Sequence, residues 1–123
     1  MRSSSLTRPD SSTQPSLRIS SRSAEGTVTV LPEGELDLFT APQLVLALSR
    51  AHTLATPAVI LDLSQVTFTD VSGVRAILHA DARARCDGRD LQIIRCPRAV
   101  QRVFDLCLAI DPSFGSLPLL ADP

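Results

Sequence analysis

Lysine is absent: all 12 basic residues are arginine. With no ammonium side chain, the phosphate-loop nucleotidases, the Schiff-base enzymes and the lysine-dependent protein kinases are excluded. Long apolar runs are missing as well. The most extended are Leu44 to Leu48 and Leu106 to Ile110, far short of the ~18 residues of a membrane span, so no membrane insertion is expected. Arg2 and Arg8 near the N-terminus are followed by Ser, Thr, Pro and Gln rather than by an apolar stretch, which is not the pattern of a secretory signal. A cytoplasmic location is the expectation. Cysteine is scarce. Cys86, Cys96 and Cys107 are odd in number, about ten residues apart and without a Cys-x-x-Cys pair, which argues against a disulfide framework or a zinc knuckle and for reduced structural thiols.

What remains is ordinary soluble composition. The chain has 123 residues, 44% hydrophobic and 20% charged, with a formal net charge of -1. One small domain with tails fits this length, and direct nucleic-acid binding is disfavoured by the charge. Residues 1–16 are rich in serine with almost no apolar side chains, so they are expected to form a disordered arm. The domain is expected over 17–110, and 111–123 as a Pro-rich tail in which Leu117 to Leu120 could form a short strand.

Leu17 and Ile19 alternate with polar residues, Ala24-Glu25-Gly26 reads as a turn, and Val28 and Val30 resume the alternation, which predicts a hairpin whose second strand ends near Leu31-Pro32. Thr40-Ala41-Pro42-Gln43 reads as a capping box that opens a helix carrying Leu44, Ala47, Leu48, Ala51 and Leu54. Ala58 to Leu63 is a continuous apolar run, as expected of a strand covered on both faces. A loop is expected from Ser64 to Asp70. A second helix should follow Ser72-Gly73 and run to Cys86, with Val74, Ile77, Leu78 and Ala84 inward, ended by Asp87-Gly88. Leu91 to Arg95 reads as a strand, and Pro97 opens a third helix with Val100, Val103, Phe104 and Cys107 on one face. The fold class is therefore α/β: a single mixed, mostly parallel open sheet of four or five strands, an N-terminal hairpin and about three covering helices.

In such sheets function gathers where strands end and helices begin, here at Gly34 to Thr40 and at Thr67 to Val74. By residue chemistry alone Ser72 reads as a helix N-cap, with Asp70 suited to the positive end of the helix dipole. A hydrolase is the less favoured alternative. A nucleophile elbow needs glycines where Asp70 and Val74 stand, and His79 lies seven residues along the same helix, about 10 Å away. His52, on another helix, reads as a solvated surface residue.

Gly34-Glu35-Leu36-Asp37, the strand Val59 to Leu63, the Asp70-Val71-Ser72-Gly73-Val74 turn and the helix Pro97 to Phe104 together resemble the STAS domain of bacterial anti-sigma factor antagonists. The resemblance spans roughly Leu17 to Ile110 and implies a non-enzymatic partner switch with no cofactor of its own. An anti-sigma factor that is itself a serine kinase binds the unmodified antagonist and frees its sigma factor. The kinase, which brings the ATP, then inactivates the antagonist by phosphorylating a serine, here Ser72, and a phosphatase resets it. The resemblance further implies a partner-binding surface made by Glu35, Asp37, Asp70, Val71 and Gly73. Val71 stands where the family commonly has a second hydroxyl residue, so Ser72 is the one hydroxyl immediately before Gly73. Arg75, counted as the third position of the helix, is expected to be solvated; its alternative is to pair with Asp70 or with phosphorylated Ser72. The family's last helix is not expected, which leaves an edge or face of the sheet less covered and favours weak self-association. A second implied role is a stand-alone STAS subunit that docks, without phosphorylation, on a lipid-transport ATPase or a sensory complex.

Overall fold

The computed structural model describes residues 17–54 and 58–112; the expected N-terminal arm and C-terminal tail strand lie outside them. The chain order is β1 (Leu17–Ala24), β2 (Thr27–Leu36), α1 (Ala41–Leu54), β3 (Ala58–Asp62), β4 (Val66–Thr69), α2 (Val71–Cys86), β5 (Asp90–Ile94) and α3 (Arg98–Ile110). The sheet runs β1-β2-β3-β5, with β4 also on β2; only the β1–β2 pairing is antiparallel. The hairpin turns on Glu25 and Gly26, which both take positive φ (54° and 80°). That is the two-residue turn whose twist matches the flanking strands.

Strand β2 does not stop at Pro32 as its sequence suggests; it continues to Leu36. It pairs with β3 through Val28 to Val30 and with β4 from Gly34 to Leu36. The Gly34 N–H donates to the Gln65 carbonyl, so by the two-residue period the nitrogen of Pro32 points to the same side. There it falls between the end of β3 pairing and the start of β4 pairing, where a missing donor breaks no ladder bond. The segment read as a loop from Ser64 to Asp70 accordingly contains β4, too short to announce itself by periodicity.

One face of the sheet meets the helices. Val28, Val30, Leu36, Val59, Leu61, Leu91 and Ile93 form a single buried cluster with residues from all three helices, among them Leu44, Leu48, Val74, Ile77, Val100 and Phe104. The opposite face does not belong to it: Thr29, Ile60 and Gln92, aligned across the three strands, are only half-buried. Among the described residues the apolar run of β3 is therefore covered on one face rather than two. Ile60 supplies the run's continuity without the second layer that continuity suggests.

Helix α2 ends as expected at Asp87-Gly88. Gly88 has φ 71°, its N–H donates to the Arg85 carbonyl at 3.1 Å, and the Arg89 N–H donates to the Ala84 carbonyl at 2.8 Å, the paired bonds of a Schellman cap. In α3, Val100, Phe104 and Cys107 are buried and Val103 is half-buried against them. Burial pushes the Cys107 thiol up from its ordinary pKa, in keeping with an inert structural side chain.

Candidate functional site

Strands β2 and β4 are parallel neighbours, with Leu36 paired to Thr69, so the segments that leave them emerge at the same edge of the sheet. A hydrogen bond from the Asp70 N–H to the Leu36 carbonyl, at 3.2 Å, ties the two exits together. Leu38 and Ser72 each lie two residues beyond that bond. The two segments singled out in the sequence thus form one surface.

On the β2 side, Asp37 folds the turn. Its Oδ1 accepts the N–H of Phe39 at 2.9 Å and of Thr40 at 3.0 Å, the side-chain mimicry of a backbone turn that aspartate favours. Thr40 is 1% exposed; its Oγ1 accepts the Asp37 N–H and donates to the Glu35 carbonyl, both at 2.9 Å. The expected capping box does not form, because the Thr40 hydroxyl turns back into the loop and the Gln43 N–H goes to the Thr40 carbonyl instead. Glu35 stands in β2 beside Phe68 of β4. The loop that Asp37 organises presents Leu38 and Phe39, which are 66% and 68% exposed.

On the β4 side, the cap of α2 is Asp70 and not Ser72. Asp70 takes an extended backbone conformation, and its Oδ1 accepts the Gly73 N–H at 3.1 Å. The helix begins at Val71, two residues earlier than its sequence suggests, so Ser72 is the second residue of the first turn. With Asp70 N–H bound to Leu36 and Gly73 N–H bound to Asp70, the amides of Val71 and Ser72 are, among the described residues, the helix-start donors left for solvent or an incoming acceptor. Ser72 is half-buried. Its hydroxyl makes no hydrogen bond among the described residues and is not a buried unsatisfied group, so it reaches solvent. Arg75 becomes the fifth helical position rather than the third. It is exposed and forms no ion pair with Asp70 among the described residues.

Gly73 is buried because the first turn of α2 lies directly on β2 and β4. A Cβ there would stand 2.4 Å from Thr69 Oγ1 and 2.8 Å from the Leu36 carbonyl oxygen. The glycine after Ser72 is thus a packing requirement rather than a surface contact.

The segments that meet at this edge also carry exposed apolar side chains, alongside the exposed Arg75. Besides Leu38 and Phe39, Phe68 is 47% and Val71 43% exposed. Leu38, Phe39 and Phe68 are absent from the sequence-derived site, although an adjacent Leu-Phe pair inside a turn that is neither strand nor helix is a readable signal. The histidines stand elsewhere. The ring nitrogens of His52 face the Leu48 and Asp90 carbonyls, each at 3.2 Å, which makes it a half-buried bridge from α1 to β5 rather than a solvated residue. His79 lines the groove between α1 and α2. Neither stands beside Ser72 as a general base.

Among the described residues no helix is long and apolar enough to cross a membrane. No curated protein sequence is significantly similar to the chain. Among solved structures, the anti-sigma factor antagonist SpoIIAA in its unphosphorylated form superposes with a TM-score of 0.66 at 20% identity, covering 86% of this chain and 88% of that one. An anti-sigma factor antagonist from Mycobacterium paratuberculosis gives 0.66 at 24% identity, covering 85% of each chain. The phosphorylated form of the Bacillus cell fate determinant SpoIIAA gives 0.62 at 19% identity, covering 86% of this chain and 91% of that one. At these identities the likeness is one of fold: a five-stranded mixed sheet, an N-terminal hairpin and three helices. The family described as "Mlab, STAS domain" matches residues 18–107, most of the chain, and the protein belongs to the STAS-domain family.

Proposed function

We propose that this protein is an anti-sigma factor antagonist: it binds a serine-kinase anti-sigma factor through the surface around Ser72, frees the sigma factor, and is switched off by phosphorylation of Ser72. The observation that carries the reading is the position of Ser72. Its hydroxyl is spared from capping, reaches solvent and stands at the edge where β2 and β4 end, on segments that also carry exposed apolar side chains.

That placement supports a switch in physical terms. A phosphate on Ser72 adds about -1.5 to -2 charge at neutral pH. The positive end of α2 and the Val71 and Ser72 amides tolerate an anion, so the fold persists. The interface does not. Leu38, Phe39, Phe68 and Val71 offer apolar area that contributes to binding only when a partner excludes water from it, and a dianion at the same edge has to be desolvated when that partner docks. The Asp70 carboxylate, two residues away, adds like-charge repulsion. Asp37 acts differently from a bare repelling charge: its Oδ1 is engaged by two amides, and it works by holding Leu38 and Phe39 in place. A loss of ~3 kcal/mol weakens binding about a hundredfold, enough to return the kinase to its sigma factor. The protein performs no chemistry itself in this reading. The kinase supplies ATP and a phosphatase restores the hydroxyl.

The test is to measure affinity for a kinase-type anti-sigma factor before and after phosphorylation, with the modified residue located by mass spectrometry. Phosphate on Ser72 and about a hundredfold weaker binding support the reading; unchanged affinity, or phosphate elsewhere, overturns it. A second reading is favoured by the family description, which names Mlab rather than a sigma-factor regulator. In it the same surface docks permanently on a partner subunit such as a lipid-transport ATPase, without phosphorylation. Co-purification with such an ATPase, unaffected by Ser72→Glu, would put that reading first.

A further inference from the structure

We propose that the groove between α1 and α2 is a binding site for a small organic anion, separate from the Ser72 surface. The groove encloses about 610 Å³, within the ~300–1,000 Å³ typical of small-molecule pockets. Its floor is apolar, built from Val45, Leu48, Ala76, Ala80 and Ala84. The three on α2 are alanines, and their short side chains leave space between the two helices.

The rim is cationic in a chain whose net charge is -1. Among the described residues two guanidinium groups, Arg83 and Arg89, line it against one carboxylate, Asp87, with the rings of His52 and His79 beside them. Arg83 makes no ion pair with Asp87 among the described residues, although Asp87 lies one helical turn on. Arg89 is fixed across the groove by a hydrogen bond from its Nη1 to the His52 carbonyl. The His52 ring is held in turn by the Leu48 and Asp90 carbonyls. One guanidinium is therefore anchored to α1 and the other stands exposed on α2 beside an apolar lining, which suits an anionic group carried on a compact apolar body. Ser49, on the α1 side, adds a hydroxyl to the rim. Ser72 and Arg83 are 11 positions apart on α2, about 16 Å at the helical rise, so the groove and the Ser72 surface occupy different parts of the helix.

The experiment is an NMR titration of the full chain with phenyl phosphate, following the backbone amides, the His52 and His79 rings and the Arg83 side chain. Phenol and inorganic phosphate serve as the uncharged and the non-organic probes. Saturable shifts confined to the groove, with a dissociation constant of roughly 5 mM or below, are expected for phenyl phosphate. Phenol, inorganic phosphate and the Arg83→Ala variant should each bind about tenfold more weakly. Arg83 is exposed, so the variant should melt with the native protein, and Ser72→Ala should leave the titration unchanged. No saturable shift up to about 20 mM overturns the proposal. So do equal binding of phenol or of inorganic phosphate, undiminished binding by Arg83→Ala, and shifts that map to the Ser72 surface. None of these outcomes bears on kinase recognition.

Discussion

Asp70 holds the first turn of α2 by accepting the Gly73 N–H on its Oδ1 at 3.1 Å, and in doing so it leaves the hydroxyl of Ser72, which lies between them in sequence, outside the capping bond. The order of substitution costs follows. Asp70→Ala should lower stability by about 1 kcal/mol, the usual price of a lost N-cap, and Asp70→Asn should restore most of it. Ser72→Ala should stay within about 0.5 kcal/mol of the native protein. Urea denaturation of the three variants checks this; a larger loss for Ser72→Ala would mean that serine, not aspartate, is the cap.

Gly73→Ala should cost about 1–3 kcal/mol, the range for forcing an extra carbon into a packed site. The new Cβ meets the Thr69 hydroxyl and the Leu36 backbone, and a carbonyl cannot swing aside as a flexible side chain can. A fall in melting temperature, together with faster amide exchange in β4 and the start of α2, is the expected result.

The Asp37 turn separates structure from recognition. Asp37→Ala removes the acceptor of two amides and should destabilise the loop by about 1–2 kcal/mol, seen as faster exchange at Phe39 and Thr40. Leu38→Ser and Phe39→Ser, at exposed positions, should change stability by less than about 0.5 kcal/mol. If the proposed interface is right, Phe39→Ser should still weaken kinase binding by about 2 kcal/mol, as aromatic anchors do, measured by calorimetry beside the unfolding curve.

Asp81 makes stability depend on pH. It is 2% exposed, and burial raises its pKa above the ordinary 3.8 even though Arg85 stands 2.7 Å away and pulls the other way. A carboxyl whose pKa is higher folded than unfolded contributes most below its unfolded value, and the contribution is lost as pH rises through the folded value. Asp81→Asn should therefore gain melting temperature relative to the native protein at neutral pH, and the gain should shrink as pH falls through the raised folded value toward 3.8. A difference that widens toward acid would mean that the Arg85 pair outweighs burial.

Much of the fold is legible in the sequence because its signals are local. The alternation in β1 and β2, the positive-φ turn at Glu25-Gly26, the helical spacing of Val100, Phe104 and Cys107, and the Asp87-Gly88 stop each depend on neighbours a few positions away. The site is less legible. Ser72 and Asp70 are both good caps by residue type, and the choice between them turns on where α2 begins. That start is set by Leu36, whose carbonyl takes the Asp70 amide, and by the contact of Gly73 with Leu36 and Thr69. Thr40 likewise looks like a cap until the Glu35 carbonyl and the Asp37 amide come within reach of its hydroxyl.

The amino-acid order by itself determined the α/β class, the succession of helices and strands apart from β4, the loss of every lysine-dependent chemistry and the two segments that meet at the sheet edge, since these rest on periodicity, turn chemistry and composition. Tertiary structure alone decided that β2 passes through Pro32, that β4 exists, that one sheet face stays half-open among the described residues, and that the segments carrying the exposed Leu38, Phe39 and Phe68 reach the same sheet edge as a solvent-reaching hydroxyl. Each of those outcomes depends on which distant strand or helix lies alongside, and a hydrogen-bonding group or apolar side chain takes its partner from what is near in space.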